Sequence, residues 1–497
     1  MSTSAFAATF TTVIGLEVHV QLLTQTKLFC GCLTKFGAPP NTQTCPICIG
    51  MPGVLPVMNR RAFELALKAA VALNCDISAF TKWDRKNYYY PDLPKNYQIS
   101  QYDLPFSHDG YLEIPAENGD ELKRIGIIRV HLEEDAGKLL HSETGGDSQV
   151  DLNRTGTPLL EIVSMPDLRS PKEAKTYLEE LRLLLRYLEV SDCNMQEGSL
   201  RVDANVNIHV HTDGELIPTP IVEVKNMNSF RAVERAMIYE AERQFEDWKQ
   251  TGHRLGDVPK ETRGWDETRG VTALQRHKEE ASDYRYFPEP DLVPVTVDEA
   301  QVEPVRASIG ELPADRRHRF EIEYQLPAYD ADVLIEQGRP LADYFEDLVR
   351  ASGSPKDASN WMMQDVLRTL NERGSTIDQF SIPAESLGGL IRKVVDGALN
   401  TTNAREVFAE MLSTGRPADE IIASRGLAQI SDTDKLRSLA EAAVDANPKA
   451  LADFKKGKKP EQVIGWLTGQ VMRQTSGQAN AAVVRQILAE ILARRAK

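Results

Sequence analysis

Five residues with the chemistry to hold a metal and a nucleotide stand on runs that read as strands: Glu17, His19, Glu134, Glu161 and Asp203. Carboxylate oxygens are hard ligands that suit Mg²⁺, and the ion can then bridge nucleotide phosphates. Four acids brought together without a cation would repel and push one another's pKa values up. Glu161 is the most informative of them. It sits inside the apolar run Leu159-Leu160-Glu161-Ile162-Val163, and a buried acid needs a partner, a proton or a metal. The competing reading is a set of ordinary half-exposed strands with polar outer faces. A second group is Cys30, Cys32, Cys45 and Cys48, spaced as C-x-C, twelve residues, C-x2-C in a stretch rich in Gly and Pro. Two close pairs on a loop can offer four thiolates to a tetrahedral Zn²⁺. Sulfur at all four positions implies a closed, structural site; the alternative is buried free thiols.

The elements that must position these groups follow from periodicity. In Val13–Gln21, Leu16, Val18 and Val20 alternate with Glu17, His19 and Gln21, so a strand would face a core on one side and carry a carboxylate and an imidazole on the other. Leu200–Ile208 alternates in the same way, with Arg201, Asp203, Asn205 and Asn207 on its polar face. Ile127–Lys138 begins as a strand and runs into three acids, and Pro220–Asn226 places Glu223 beside Lys225. These strands predict a mostly antiparallel sheet with one packed side and one chemical side. Helices are expected at 60–74, at 170–190 behind the capping box of Ser170, Pro171 and Glu173, and at 229–248. The stretch Lys82–Gln101 is dense in aromatic and basic residues, and either stacks on bases beside phosphates or is a surface loop anchored by its tyrosines. Beyond about residue 300 strand patterns give way to short helices. The expected layout is an α+β cradle domain at 1–296 with a zinc loop at 28–50, an all-α domain at 297–425 and an all-α tail at 426–497.

Composition excludes some classes. The chain has 497 residues, 41% hydrophobic and 26% charged, with a net charge of −15. That charge argues against wholesale coating of nucleic acid. It is unevenly placed, however: from Asp453 to Lys497 nine Lys or Arg face three Asp or Glu. Such a tail can touch a phosphate backbone locally, or can be a solvated helix surface. No apolar run is long enough for a membrane span, and the first Lys or Arg is Lys27, so a cytoplasmic protein is expected. There is no G-x-x-x-x-G-K-[S/T] loop, no G-x-G-x-x-G fingerprint and no G-x-S-x-G elbow.

Long motifs carry a resemblance. They are Ile14-Gly15-Leu16-Glu17-Val18-His19, Tyr90-Pro91-Asp92-Leu93-Pro94-Lys95-Asn96-Tyr97-Gln98-Ile99-Ser100-Gln101, His131-Leu132-Glu133-Glu134-Asp135-Ala136-Gly137, Asp151-Leu152-Asn153-Arg154, Asp283-Tyr284-Arg285-Tyr286-Phe287-Pro288-Glu289-Pro290-Asp291 and Ser476-Gly477-Gln478-Ala479-Asn480. In this order they resemble the B subunits of aspartyl/glutamyl-tRNA amidotransferases, from about Val13 to the end of the chain. The resemblance implies an ATP-dependent carbon–nitrogen ligase acting as a heterotrimer, with an amidase-type A subunit that releases ammonia from glutamine and a small C subunit. It implies that this chain activates mischarged Asp-tRNA(Asn) and/or Glu-tRNA(Gln). The family's metal and ATP positions fall on Glu17, His19, Glu134, Glu161 and Asp203, and Lys86, Lys95 and Glu134 would line the nucleotide site and the ammonia route. Zinc is optional to the family, so here it rests on the four thiols alone. Two other classes stay open: a non-catalytic tRNA-binding scaffold, and a free-standing metal-dependent hydrolase.

Overall fold

The computed structural model describes residues 8–118, 121–141, 145–212, 214–277, 284–427, 433–455, 460–475 and 478–496. Asp283, Ser476-Gly477 and, within the basic tail, Lys456-Gly457-Lys458-Lys459 lie outside them. The chain forms two compact units that divide at Pro313. Among the described residues no helix is long and apolar enough to cross a membrane.

The first unit is built on a ten-stranded sheet. Its strands are β1 (Thr9–Gln21), β2 (Asp76–Ile77), β3 (Ser107–Pro115), β4 (Leu122–Glu134), β5 (Pro158–Ser164), β6 (Leu200–Thr212), β7 (Glu215–Pro218), β8 (Val222–Lys225), β9 (Glu261–Asp266) and β10 (Val271–His277). The order is β10-β9-β8-β6-β1-β5-β4-β3-β2, with β7 paired to β6. Every pairing is antiparallel except β8 with β9, which is parallel. The mostly antiparallel sheet expected from alternation is therefore present, and β1 lies near its middle, hydrogen-bonded to β6 on one side and β5 on the other.

Alternation separates the two faces of β1. Ile14, Leu16, Val18 and Val20 are buried in one core with residues of the helices α1 (Arg60–Ala72), α2 (Pro171–Tyr187) and α3 (Phe230–Thr251). These helices cover the apolar face and leave the other free for polar groups. Ser170 caps α2, accepting from the Glu173 amide at 3.1 Å. The second half of the expected capping box differs: the Glu173 carboxylate takes the Arg169 amide at 2.7 Å and the Lys123 ammonium at 2.6 Å. Of the motif Asp151-Leu152-Asn153-Arg154, only Asp151 lies in a strand. Ser148–Asp151 pairs with Lys138–His141 in a separate hairpin.

Helix α4 (Glu299–Ile309) belongs to the first unit because Val302 buries against Leu67 of α1, together with Val297. This packing carries the unit past residue 296. Among the described residues the second unit contains helices and no strand, ending with Ala481–Ala496. Within it, a separate apolar core gathers residues from Leu436 to Leu492 alone. Ser354 caps the helix Pro355–Trp361, which runs into a π-helical turn at Met362–Val366.

Two motif glycines make different demands. A Cβ at Gly137 would stand 2.9 Å from the Asp92 carbonyl oxygen and 3.0 Å from that of Asp151, whereas at Gly15 the nearest atoms are at 3.7 Å. Backbone cannot yield as a flexible side chain does. Gly137→Ala is expected to lower stability by roughly 1–3 kcal/mol, and Gly15→Ala to leave it within about 0.5 kcal/mol. Urea unfolding of the two variants beside the parent checks the contrast.

Candidate active site

Strand register assembles the polar face. Glu17 of β1 lies opposite Asp203 of β6, and His19 lies opposite Arg201 on β6 and Glu161 on β5. Glu161 in turn lies opposite His131 of β4. Its carboxylate is therefore held between two imidazoles, with Nε2 of His19 at 3.4 Å and Nε2 of His131 at 3.3 Å. Glu133, two residues beyond His131 on the same face, stands 3.8 Å from Nε2 of His19.

Two sets of ligand atoms result. His19, Glu133 and Glu161 form one, and Glu17, Asp203 and Glu223 form the other; within each, the donor atoms lie within 4.8 Å of one another. Lys225 partly neutralises the second set, with Nζ 2.7 Å from Asp203 and 3.5 Å from Glu223. Asn205 donates to Glu17 at 2.8 Å and Thr262 to Glu223 at 2.7 Å.

The structure thus brings Glu17, His19, Glu161 and Asp203 onto one surface. Glu134 stands apart from them. It follows Glu133 in a strand, so its side chain takes the opposite direction. There it pairs with the Lys95 ammonium and accepts the Ile99 amide at 3.1 Å. Glu133 and His131 join the face without having been singled out, as does Glu223, expected only as a strand neighbour of Lys225. The signal for Glu133 and His131 was present in the alternation of Arg129, His131 and Glu133. Lys86 stands over the ring of Tyr284 at 4.9 Å, in a group of tyrosines where Tyr88 and Tyr286 each lie 6.0 Å from Tyr284. The aromatic-basic stretch is thus partly an internal cage.

Crowding does not push the Glu161 carboxyl up, because an imidazole faces it from each neighbouring strand. Burial opposes ionisation of Glu161, but His131 and His19 outweigh it and hold the carboxyl well below its usual range. Burial likewise opposes protonation of His19, yet the hydrogen bond to Glu161 and the charges of Glu161, Glu133 and Asp203 raise it to about 9. Burial also works against the Lys86 ammonium, and Glu133, Tyr286 and Glu161 outweigh it and raise its pKa.

A cavity of about 620 Å³ opens beside Asp203 and Lys225 and extends past Arg201 and Arg154 to Lys35 and Phe36. Arg201 spends one nitrogen on Asp135 at 2.8 Å, while its Nε is buried with no hydrogen-bond partner. An orphaned guanidinium donor at an acid-and-base-lined cavity fits an anionic ligand bridged by a divalent ion. The carboxylate-rich sets suit a hard cation, with the single imidazole the least typical donor.

The four cysteine sulfurs of residues 30, 32, 45 and 48 also lie within 4.8 Å of one another, and none is in a disulfide. The Cys45 amide donates to Sγ of Cys48 at 3.2 Å. A hydrogen bond from Cys30 lowers the Cys48 thiol to about 4, against burial, with help from the Cys45 amide and Lys27. The donor set fits a closed tetrahedral soft-metal site. Cys75 and Cys193 lie elsewhere, and burial raises both thiols to about 12.

The raised His19 value has a measurable sign. Protonated His19 contributes stability that is fully present below its unfolded value near 6.5 and is lost as pH rises through about 9. Without divalent cations, the His19 ring resonance is expected to titrate near pH 9, and Mg²⁺ should lower that midpoint by competing with the proton. A midpoint at or below 6.5 would mean that the acids do not surround the ring.

Residues 12–303 match the model of the GatB/GatE catalytic domain, and residues 343–492 match that of the GatB domain. The chain is 55% identical over 486 residues to the B subunit of the aspartyl/glutamyl-tRNA(Asn/Gln) amidotransferase of Rhodopirellula baltica, covering 97% of each chain. Proteins of the same name from Moorella thermoacetica and Caldanaerobacter subterraneus are 52% and 50% identical, each over 97% of this chain and 99% of their own. The polar face with its two ligand sets lies wholly within the catalytic-domain match, and the likeness runs through the helical unit as well, so the chain belongs to the family of aspartyl/glutamyl-tRNA(Asn/Gln) amidotransferase B subunits.

Proposed function

We propose that the polar face of the sheet is the ATP-dependent activation site for the side-chain carboxylate of mischarged Asp-tRNA(Asn) and/or Glu-tRNA(Gln). The observation that carries this is the pairing of two carboxylate-rich ligand sets with a cation-lined cavity on one rigid sheet. A free carboxylate resists ammonia because its leaving group would be oxide. Its oxygen attacks the terminal phosphorus of ATP, the bond to the bridging oxygen breaks, and ADP leaves. Ammonia then attacks the acyl carbon, and phosphate departs with the former carboxylate oxygen as the attacking nitrogen loses a proton.

In this reading His19, Glu133 and Glu161 hold one Mg²⁺, and Glu17, Asp203 and Glu223 hold another. When bound, the ions offset charge on the phosphoryl group in transfer. Arg201 and Lys225 add fixed positive charge at the cavity, and Lys86 adds it near Glu133 and Glu161. Lys95 and Glu134, off this face, line the route by which ammonia arrives from an amidase-type A subunit, in a complex completed by a small C subunit. The four cysteines hold a structural Zn²⁺. The tail from about 426 binds tRNA, and the complex works in the cytoplasm.

Glu161→Gln, Asp203→Asn and Glu133→Gln are each expected to lower tRNA-dependent ATP hydrolysis and amidation together, by roughly a hundredfold or more. Basal glutaminase and assembly should persist. Glu134→Ala should instead uncouple the two, sparing ATP hydrolysis more than glutamine-dependent amidation. Full ATP hydrolysis in all three face variants would remove the nucleotide from this site and favour a tRNA-binding scaffold. Deleting the tail from residue 426 should raise the KM for charged tRNA about tenfold, with a salt-dependent loss of affinity. Unchanged tRNA affinity across a salt series would remove the tail from that role.

A further inference from the structure

The side chain of Lys27 is fully buried. Burying an ammonium is costly unless an opposite charge and hydrogen-bond acceptors meet it. Nζ donates to the carbonyl of Gln43 at 2.7 Å and reaches that of Leu152 at 3.4 Å. Its third partner is Sγ of Cys48 at 3.6 Å. Among the described residues no carboxylate lies within ion-pair distance of it. Carbonyl dipoles satisfy two of the three N–H groups, so the compensating charge has to come from sulfur.

The backbone sets this position. The Lys27 amide donates to the carbonyl of Cys32 at 3.0 Å, and the next amide, that of Leu28, donates to Gly156 at 2.8 Å. The residue is tied at its main chain to one cysteine and at its side chain to another. It also ties the segment ahead of the second cysteine pair to the Asp-Leu-Asn-Arg motif. Gln43 stands two residues before Cys45, and Leu152 lies in the Asp-Leu-Asn-Arg motif ahead of β5.

Four thiolates around a dication leave the centre doubly negative. A buried cation at hydrogen-bond range of one sulfur halves that excess. It also favours the deprotonated ligand set that a metal requires. We infer that Lys27 is the charge-compensating residue of the four-cysteine metal centre, so that its ammonium and the bound metal stabilise each other. The inference rests on the reading of the cysteines as a zinc site.

The test uses the full chain. Zinc content of the purified parent first checks the underlying reading: about one equivalent supports it, and none removes it. Zn²⁺ affinity is then measured by competition with a chromogenic chelator for the parent, Lys27→Met and Lys35→Met. Lys27→Met is expected to bind Zn²⁺ roughly 10- to 100-fold more weakly. Lys35→Met, which removes an exposed positive charge from the same loop, should stay within about twofold. Parent-like affinity in Lys27→Met, with the parent loaded, overturns the inference. If Lys27→Met does not accumulate as folded protein, the parent answers the question. Acylation of Lys27, read by peptide mass spectrometry, should be about tenfold faster after chelation than with metal bound. Equal labelling in the two states overturns the inference.

Discussion

The contact on which the rest of the site depends is that of Glu161 with the imidazoles of His19 and His131. An ionised acid inside an apolar strand run is unstable alone. Here it is offset from both neighbouring strands, at 3.4 and 3.3 Å. The contact requires β1, β5 and β4 to be adjacent and antiparallel in a single register. A shift of one residue would send each charged side chain into the helical core and each Leu or Val to the face. The electrostatics of the face and the packing of α1, α2 and α3 behind it are therefore one constraint seen from two sides of the sheet.

The loop around the cysteines meets that sheet at the ends of its interior strands β4 and β5. Gly50 packs so closely on Lys95 that a Cβ there would overlap its side chain, and Gly156 sits beside Cys48 and Glu134. The cysteine centre thus abuts the pair formed by Lys95 and Glu134 without contributing to the ligand sets on the polar face. The split is consistent with the chemistry of the donors: sulfur gathers where the backbone is irregular and needs a fixed shape, and oxygen gathers on the rigid sheet.

Much of this was legible in the sequence, and the limits have physical causes. Strict alternation marked β1 and β6 with the correct polar faces, because a strand between a helix-packed core and an open face has to alternate. The lone Glu161 pointed to a compensated acid, and the paired cysteine spacing to a cluster. Three features were not legible in the same way. The first was which of three consecutive acids after His131 joins the face: alternation answers Glu133, but motif likeness drew attention to Glu134. The second was the compensation of Glu161 from β4, since His131 meets it only through register between separate strands. The third was the end of the first unit, set by the packing of Val302 on α1, which short-range patterning does not show.

The reading of the polar face requires it to hold two divalent ions with the phosphates between them. A crystal of the chain grown with Mn²⁺ and a non-hydrolysable ATP analogue tests this directly through anomalous scattering. One peak is expected among His19, Glu133 and Glu161, a second among Glu17, Asp203 and Glu223, and phosphate density toward Arg201 and Lys225. Nucleotide bound elsewhere, with neither ligand set occupied, would contradict it.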